Sequence, residues 1–139
     1  MARKAVPQAV RRQVRDRADN RCEYGQHPAS YSCAPFVCEH VLPRAKGGGN
    51  TVSELAWGCP ACDNHKGTDL AGIDKLTKKL IKLFNPRRHK WERHFRWNGP
   101  YLVGRTAIGR VTIAVLDINA ADRVLLRQSL IDEGAFPPS

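Results

Sequence analysis

The sequence predicts a mixed α+β fold in a single domain, and three observations carry that reading. Its 139 residues, 42% of them hydrophobic, suffice for one modest core, or a core plus a small metal-stapled unit, and not for two large domains. Apolar residues recur at helical spacing near both ends, whereas the middle carries short β-branched runs broken by Gly and Pro. Five cysteines, an odd number in a chain without an apolar export signal, point to metal ligation or buried thiols rather than a disulfide framework.

Val6, Val10, Val14 and Ala18 fall four apart, with Pro7 suited to a first helical turn, so a basic amphipathic helix is expected over 7–20. Residues 21–35 hold Cys22, Gly25, Pro28 and Cys33 without periodicity and read as a loop that something must staple. Phe36 to Val41 reads as a strand, Pro43 and Gly47 to Gly49 as a loop, and Glu54 to Gly58 as the returning strand or an irregular segment. Asp63 could then cap a short helix through Lys66. Ile73, Leu76, Leu80, Leu83 and Phe84 mark one face of a further helix, whose other face carries Lys75, Lys78, Lys79 and Lys82 and which ends before Asn85-Pro86. Trp91, Phe95 and Trp97 follow in a partly irregular basic stretch and are expected as core rather than as base-stacking platforms. Tyr101 to Val103 and Arg110 to Leu116 read as two strands around a Gly109 turn, and Ala120 to Glu133 as a final helix stopped by Gly134.

Lys and Arg number 23 against 13 Asp and Glu, a net charge of +10, which makes a polyanion the first partner to consider. No apolar run is long enough to span a membrane, and neither Met1-Ala2 nor Ser139 carries a lipidation signal, so the expectation is a cytoplasmic protein that binds nucleic acid and not membrane. Basic residues gather in two blocks, Met1 to Arg21 and Lys75 to Arg96. Arg44, Lys66, Lys78, Lys79, Lys82, Arg87, Arg88 and Lys90 are the candidate phosphate contacts, a kind of contact that binds the DNA backbone without reading bases.

Cys59-Pro-Ala-Cys62 has the spacing at which a tight turn aims two thiolates at one tetrahedral ion. Cys22 supplies a third sulfur, but Cys22-Glu-Tyr-Gly25 lacks the second thiol of a matching knuckle. Cys33, in the same loop, or His27 through a ring nitrogen, would complete a structural zinc site, while Cys38 reads as a small buried hydrophobe.

From Cys22 to Gly67 the chain resembles the HNH endonuclease family, whose pattern runs CxxC, an acid-His pair with Pro and a Gly-rich turn, Asn-Leu, then CxxC with Asn or His and Lys-Gly. Here the corresponding residues are Cys22-Glu-Tyr, EHVLPRAKGG from Glu39, Glu54-Leu55-Ala56, and CPACDNHKG from Cys59. RADNRCEY, LFNPRRHKWERHFRW and GRTAIGRVTI resemble one bacterial HNH subfamily, which extends the likeness over most of the chain. The resemblance implies a bacterial or phage protein with a ββα-metal (His-Me finger) core at about 21–72. A basic helical extension at about 73–98 and a C-terminal hairpin plus helix at about 99–134 would complete the domain.

It also implies DNA phosphodiester hydrolysis leaving 5′-phosphate and 3′-hydroxyl ends, and the residue types suit that chemistry. His40 is the candidate general base, since an imidazole can take a proton from water near neutral pH. Glu39 and Asp63 are candidate oxygen ligands for Mg²⁺ or Mn²⁺, and His65 is either a further metal or phosphate contact or an exposed residue. Gly25 stands where the family has a zinc thiol, Glu54 where it has the middle Asn, and Asp63 where it has Asn or His. The alternative that Gly25 and Glu54 imply is a weakened or inactive HNH-like zinc module that binds nucleic acid.

Overall fold

The computed structural model describes residues 5–138, so Met1, Ala2, Arg3, Lys4 and Ser139, with the first charges of the N-terminal block, lie outside the described residues. Helix α1 (Gln8–Arg17) begins behind Pro7 and buries Val14, as the four-residue spacing requires. Two of its arginines reach across: Arg11 donates to the carbonyl of Phe36 at 2.9 Å, and Arg17 to those of Val52 and Leu55 at 2.9 and 2.6 Å. These bonds hold α1 against an antiparallel pair, β1 (Val37–His40) and β2 (Leu55–Gly58), in which Glu39 lies opposite Ala56 and His40 opposite Leu55. Every residue of β2 is buried.

Helix α2 (Pro60–Lys66) follows β2 directly, giving the order strand, strand, helix. Its cap is Cys59 rather than Asp63: the Cys59 sulfur accepts the Cys62 N–H at 3.4 Å, and Pro60 supplies the first turn.

The helix expected over 73–84 is instead a hairpin, β3 (Ala71–Ile73) and β4 (Leu80–Lys82). Turn chemistry overrides the apolar spacing. The Asp74 carboxylate accepts from the Thr77 N–H and hydroxyl at 3.2 and 2.7 Å, and Lys78 takes a left-handed φ of 64°. Bidentate bonds from Arg110 at 3.1 and 3.0 Å then fix Asp74 and hold its carboxyl well below the usual range.

A single turn, α3 (Trp91–His94), runs into β5 (Phe95–Asn98), which pairs with β6 (Tyr101–Gly104) across Gly99. The C-terminal hairpin therefore sits earlier than expected, and Arg110 to Leu116 is not its second strand. That segment lies mostly in helix α4 (Ala107–Val115), capped by Thr106, whose hydroxyl accepts the Gly109 N–H at 3.2 Å. Gly109 marks a close approach rather than a turn, because a Cβ there would stand 2.1 Å from the carbonyl oxygen of His94. Helix α5 (Ala121–Asp132) closes the chain as expected, with Gly134 just past its end at φ 74°.

Tyr24, Phe84 and Phe95 meet edge-on in the core, and Trp91 packs on Phe95 with centroids 5.2 Å apart. The indole N–H groups of Trp91 and Trp97 donate at 2.8 Å to Tyr24 O and Gln26 Oε1, so both rings belong to the packing. No helix among the described residues is long and apolar enough to cross a membrane.

Buried Thr112 accepts the Phe84 N–H at 2.8 Å. Thr112→Val keeps the shape but leaves that amide without an acceptor, and should cost about 1–3 kcal/mol in a urea melt with unchanged slope; no loss would refute the role. His89 and His94, with ring centroids 5.2 Å apart, both have pKa values lowered by burial, so both fold neutral. An unfolded chain takes up protons near the ordinary value of about 6.5, and the folded one only at lower pH. Stability should therefore be full above that value and fall as pH drops through it, and His94→Gln should flatten the decline in melting temperature between about pH 7 and 5. A decline of unchanged steepness would exclude this ring from the titration.

Candidate active site and thiol cluster

Alternation along β1 sends Glu39 and His40 to opposite faces. Glu39 points inward at 4% exposure. Its Oε1 pairs with Lys66 Nζ at 2.6 Å, and its Oε2 accepts the Tyr24 hydroxyl at 2.6 Å. Burial raises the Glu39 carboxyl above its ordinary range against the opposing pull of Lys66, and burial pushes the Tyr24 phenol well up. Lys66 is 2% exposed and also donates to the carbonyls of His40 and Val41 at 3.4 and 3.3 Å. The expectation that Lys66 clamps phosphate is thus corrected: it is a core cation. Glu39, expected as an open metal ligand, has both oxygens engaged.

His40 is half-buried, with Nε2 2.8 Å from Asn50 Oδ1 and 3.1 Å from Arg44 Nε. Arg44 Nη2 donates to the same Asn50 oxygen at 3.2 Å. Glu54 closes the intervening loop as an acceptor, from the Thr51 N–H at 3.1 Å and the Thr51 hydroxyl at 2.7 Å, and these bonds lower its carboxyl. Asn50, in the loop between β1 and β2, supplies the side-chain oxygen beside His40.

Asp63 lies on α2 near enough to His40 and Lys66 for both charges to favour its carboxylate, while burial, the larger effect, raises its pKa. Among the described residues its side chain makes no hydrogen bond or ion pair, and no group of three carboxylate or imidazole donors converges beside it. A hard divalent ion needs only one or two protein carboxylates and keeps several waters. Asp63 fits that demand and Glu39, as paired, does not. His65 is exposed.

The sulfurs of Cys22, Cys59 and Cys62 lie within 4.8 Å of one another, all buried, and could hold a metal ion such as zinc. Hydrogen bonds from the Cys22 and Cys62 side chains lower Cys59, whereas burial pushes Cys22 well up. Neither Cys33, which is exposed, nor His27 joins them, although both line a cavity with Cys59 and Arg123. The fourth side is taken by a residue that sequence reading missed. Arg123 of α5 donates through Nη2 to the sulfurs of Cys62 and Cys59 at 3.1 and 3.7 Å. A Cβ on Gly25 would stand 3.6 Å from that nitrogen, so the guanidinium occupies the side from which a second knuckle thiol would approach. Cys38 is half-buried in β1, less enclosed than expected.

Of the other basic candidates, Arg87 is corrected, because it forms an ion pair with Glu23 and is largely covered. Arg88, Lys90, Lys78, Lys79 and Lys82 are exposed, and Arg44 stands beside His40. Tyr24, Asn50 and Arg123 lie far in sequence, or in a loop, from the groups they bond, and composition alone carries no signal for them.

The purified chain should contain one zinc, and Cys62→Ser should lose it. Gly25→Cys, which meets no left-handed backbone, combined with Arg123→Ala to clear the fourth side, should retain zinc at chelator concentrations that strip the natural chain. Equal loss from both chains would show that position 25 does not face the metal. No family model, curated protein or solved structure matches the chain.

Proposed function

We propose that the chain is an HNH-type, metal-dependent endonuclease that hydrolyses DNA phosphodiester bonds. The observation that carries this reading is the neighbourhood of His40, fixed by Asn50, and the uncommitted Asp63 carboxylate on the adjoining helix. The net charge of +10 supports a polyanionic substrate.

In the tautomer with Nε2 protonated toward Asn50 Oδ1, the lone pair on Nδ1 accepts a proton from the attacking water, and Arg44 Nε, which cannot donate to a protonated Nε2, is released toward the phosphate. Arg44, bonded to the same Asn50 oxygen, lies where a phosphate oxygen can exchange for its contact with His40. Asp63 would hold the Mg²⁺ or Mn²⁺ ion, which when bound supplies positive charge to the crowded phosphate and the departing 3′ oxygen. Glu39 and Lys66 position β1 against α2 and stay out of the reaction. The products carry 5′-phosphate and 3′-hydroxyl ends. Zinc in the three-thiol cluster is structural in this reading, fastening the 21–35 loop to the start of α2.

A second reading, a nucleic-acid-binding zinc module without cleavage, is favoured by two observations: Arg44 Nε lies 3.1 Å from the His40 nitrogen, and Lys66 occupies Glu39. Supercoiled plasmid with Mg²⁺ or Mn²⁺ separates the two. Nicking or linearisation is expected from the natural chain, with His40→Ala slower by about 100-fold or more. Asp63→Ala should raise the metal concentration needed. Plasmid left equally intact by the natural chain and His40→Ala would establish the binding module instead.

A further inference from the structure

The two faces of the β3–β4 hairpin have opposite characters. Gly72 and Ile81 are paired and turn inward onto α4, where a Cβ on Gly72 would meet Val115 and Val111 side-chain atoms at 2.9 and 3.0 Å. The neighbouring pairs, Ala71 with Lys82 and Ile73 with Leu80, take the outer face by the period of two. Ile73 and Leu80 are 61% and 69% exposed, and Leu76, in the turn, is 73% exposed. Around them Lys75, Lys78, Lys79 and Lys82 are all exposed. The one acid from Leu70 to Lys82 is Asp74, and it is buried with both oxygens bonded to Arg110. Solvent therefore meets an apolar strip edged by four ammonium groups that form no ion pair among the described residues.

We propose that this hairpin is a wedge for duplex DNA, with its lysines on phosphates and Leu76 pressed into the minor groove at a base step. The proposal rests on the endonuclease reading and names the form of nucleic acid that site would receive. Charge complementarity selects a polyanion. The narrow tip of a two-stranded ribbon, rather than its full width, can meet the minor groove, where exposed aliphatic side chains enter between base pairs and kink the duplex. Single strands are taken instead by aromatic faces, and residues 70–82 contain none.

The ribbon is held ready rather than left loose. Asp74 N–H donates to Lys79 O at 2.9 Å, Leu83 N–H to Leu70 O at 3.0 Å, and Arg110 anchors the turn. The segment that leads into the ribbon is tied to the loop after His40. Strand β3 begins shortly after α2, which carries Asp63, and Lys46 from the loop after His40 donates to Thr68 O at 2.7 Å in the connecting segment.

The test uses the full chain with His40→Ala, so that DNA is bound without being cut, and a fluorescein-labelled duplex with internal 2-aminopurine. Replacing Lys78, Lys79 and Lys82 together by Gln should reduce the slope of log affinity against log salt by about 2.7, the value for three phosphates. Leu76→Ala should keep the slope and lose the rise in aminopurine fluorescence that unstacking produces. Folding of each variant is checked by its thermal melt. A duplex that is bound with unchanged slope by the lysine variant, and with unchanged fluorescence by Leu76→Ala, would overturn the wedge while leaving the endonuclease reading intact. A slope change with no aminopurine response in the parent would overturn it in favour of a plain phosphate clamp. No duplex binding at all would sink both. Co-sedimentation with phosphatidylserine vesicles that depends on Leu76, with DNA binding indifferent to it, would reassign the surface to a membrane.

Discussion

Strand β1 is joined to helix α2 by the Glu39–Lys66 ion pair, 2.6 Å long and almost wholly removed from water. Stripping two ions of solvent costs several kcal/mol each, and the pair persists because its remaining valences are filled by the Tyr24 hydroxyl and the carbonyls of His40 and Val41. Its consequence is register. Neighbouring residues of a strand face opposite ways, so a slip of one position would bury His40 and eject Glu39. With Glu39 locked to α2, the imidazole at 40 is turned to the other face of the strand, where Asn50 and Arg44 meet it. The residue that looked like a ligand is better understood as the device that aims its neighbour.

The thiol cluster shows a similar exchange of roles. A divalent ion on four thiolates carries two net negative charges, and on three it carries one. Arg123 brings one positive charge to the sulfurs of Cys62 and Cys59 from the side that Gly25 leaves open. A missing thiol and a present guanidinium therefore balance electrostatically in a buried site, where an uncompensated charge is costly. The same arrangement ties α5 to the core. Arg127, one turn further on, donates to Pro100 O at 2.7 Å and Ile118 O at 2.8 Å.

Much of this was legible in the residues, because local signals agreed with tertiary ones. The valines of α1, the alternation around Glu39 and the Cys59-Pro-Ala-Cys62 turn each specify a local geometry that packing then keeps. Helix α4 was not legible: Arg110 to Leu116 is β-branched and apolar, and Gly109 suggested a turn. The outcome is decided by the Thr106 cap and by the need of His94 O for a neighbour without a Cβ. Asn50, Tyr24 and Arg123 gave no signal because their roles exist only across the folded chain. Lys66 misled for a related reason, since in a chain with 23 Lys and Arg residues a lysine beside a catalytic motif reads as a surface charge.

The hairpin of residues 71–82 links the misreading to the proposed wedge. Ile73, Leu76 and Leu80 stand three and four apart, so a helix would have gathered them on one face and buried them, with the lysines turned to water. The Asp74 turn forbids that solution by spending the Asp74 carboxylate on Thr77 and Arg110. Once the chain is a ribbon, a period of two replaces one of 3.6, and residues that helical geometry would have hidden are sorted onto the outer face and the tip. Apolar side chains and ammonium groups then share one surface, an arrangement that water disfavours and a charged groove lined by stacked bases accommodates. A periodicity that fits a helix and a turn that prohibits one are in conflict here, and such conflicts concentrate where a chain has a use for the exposed result.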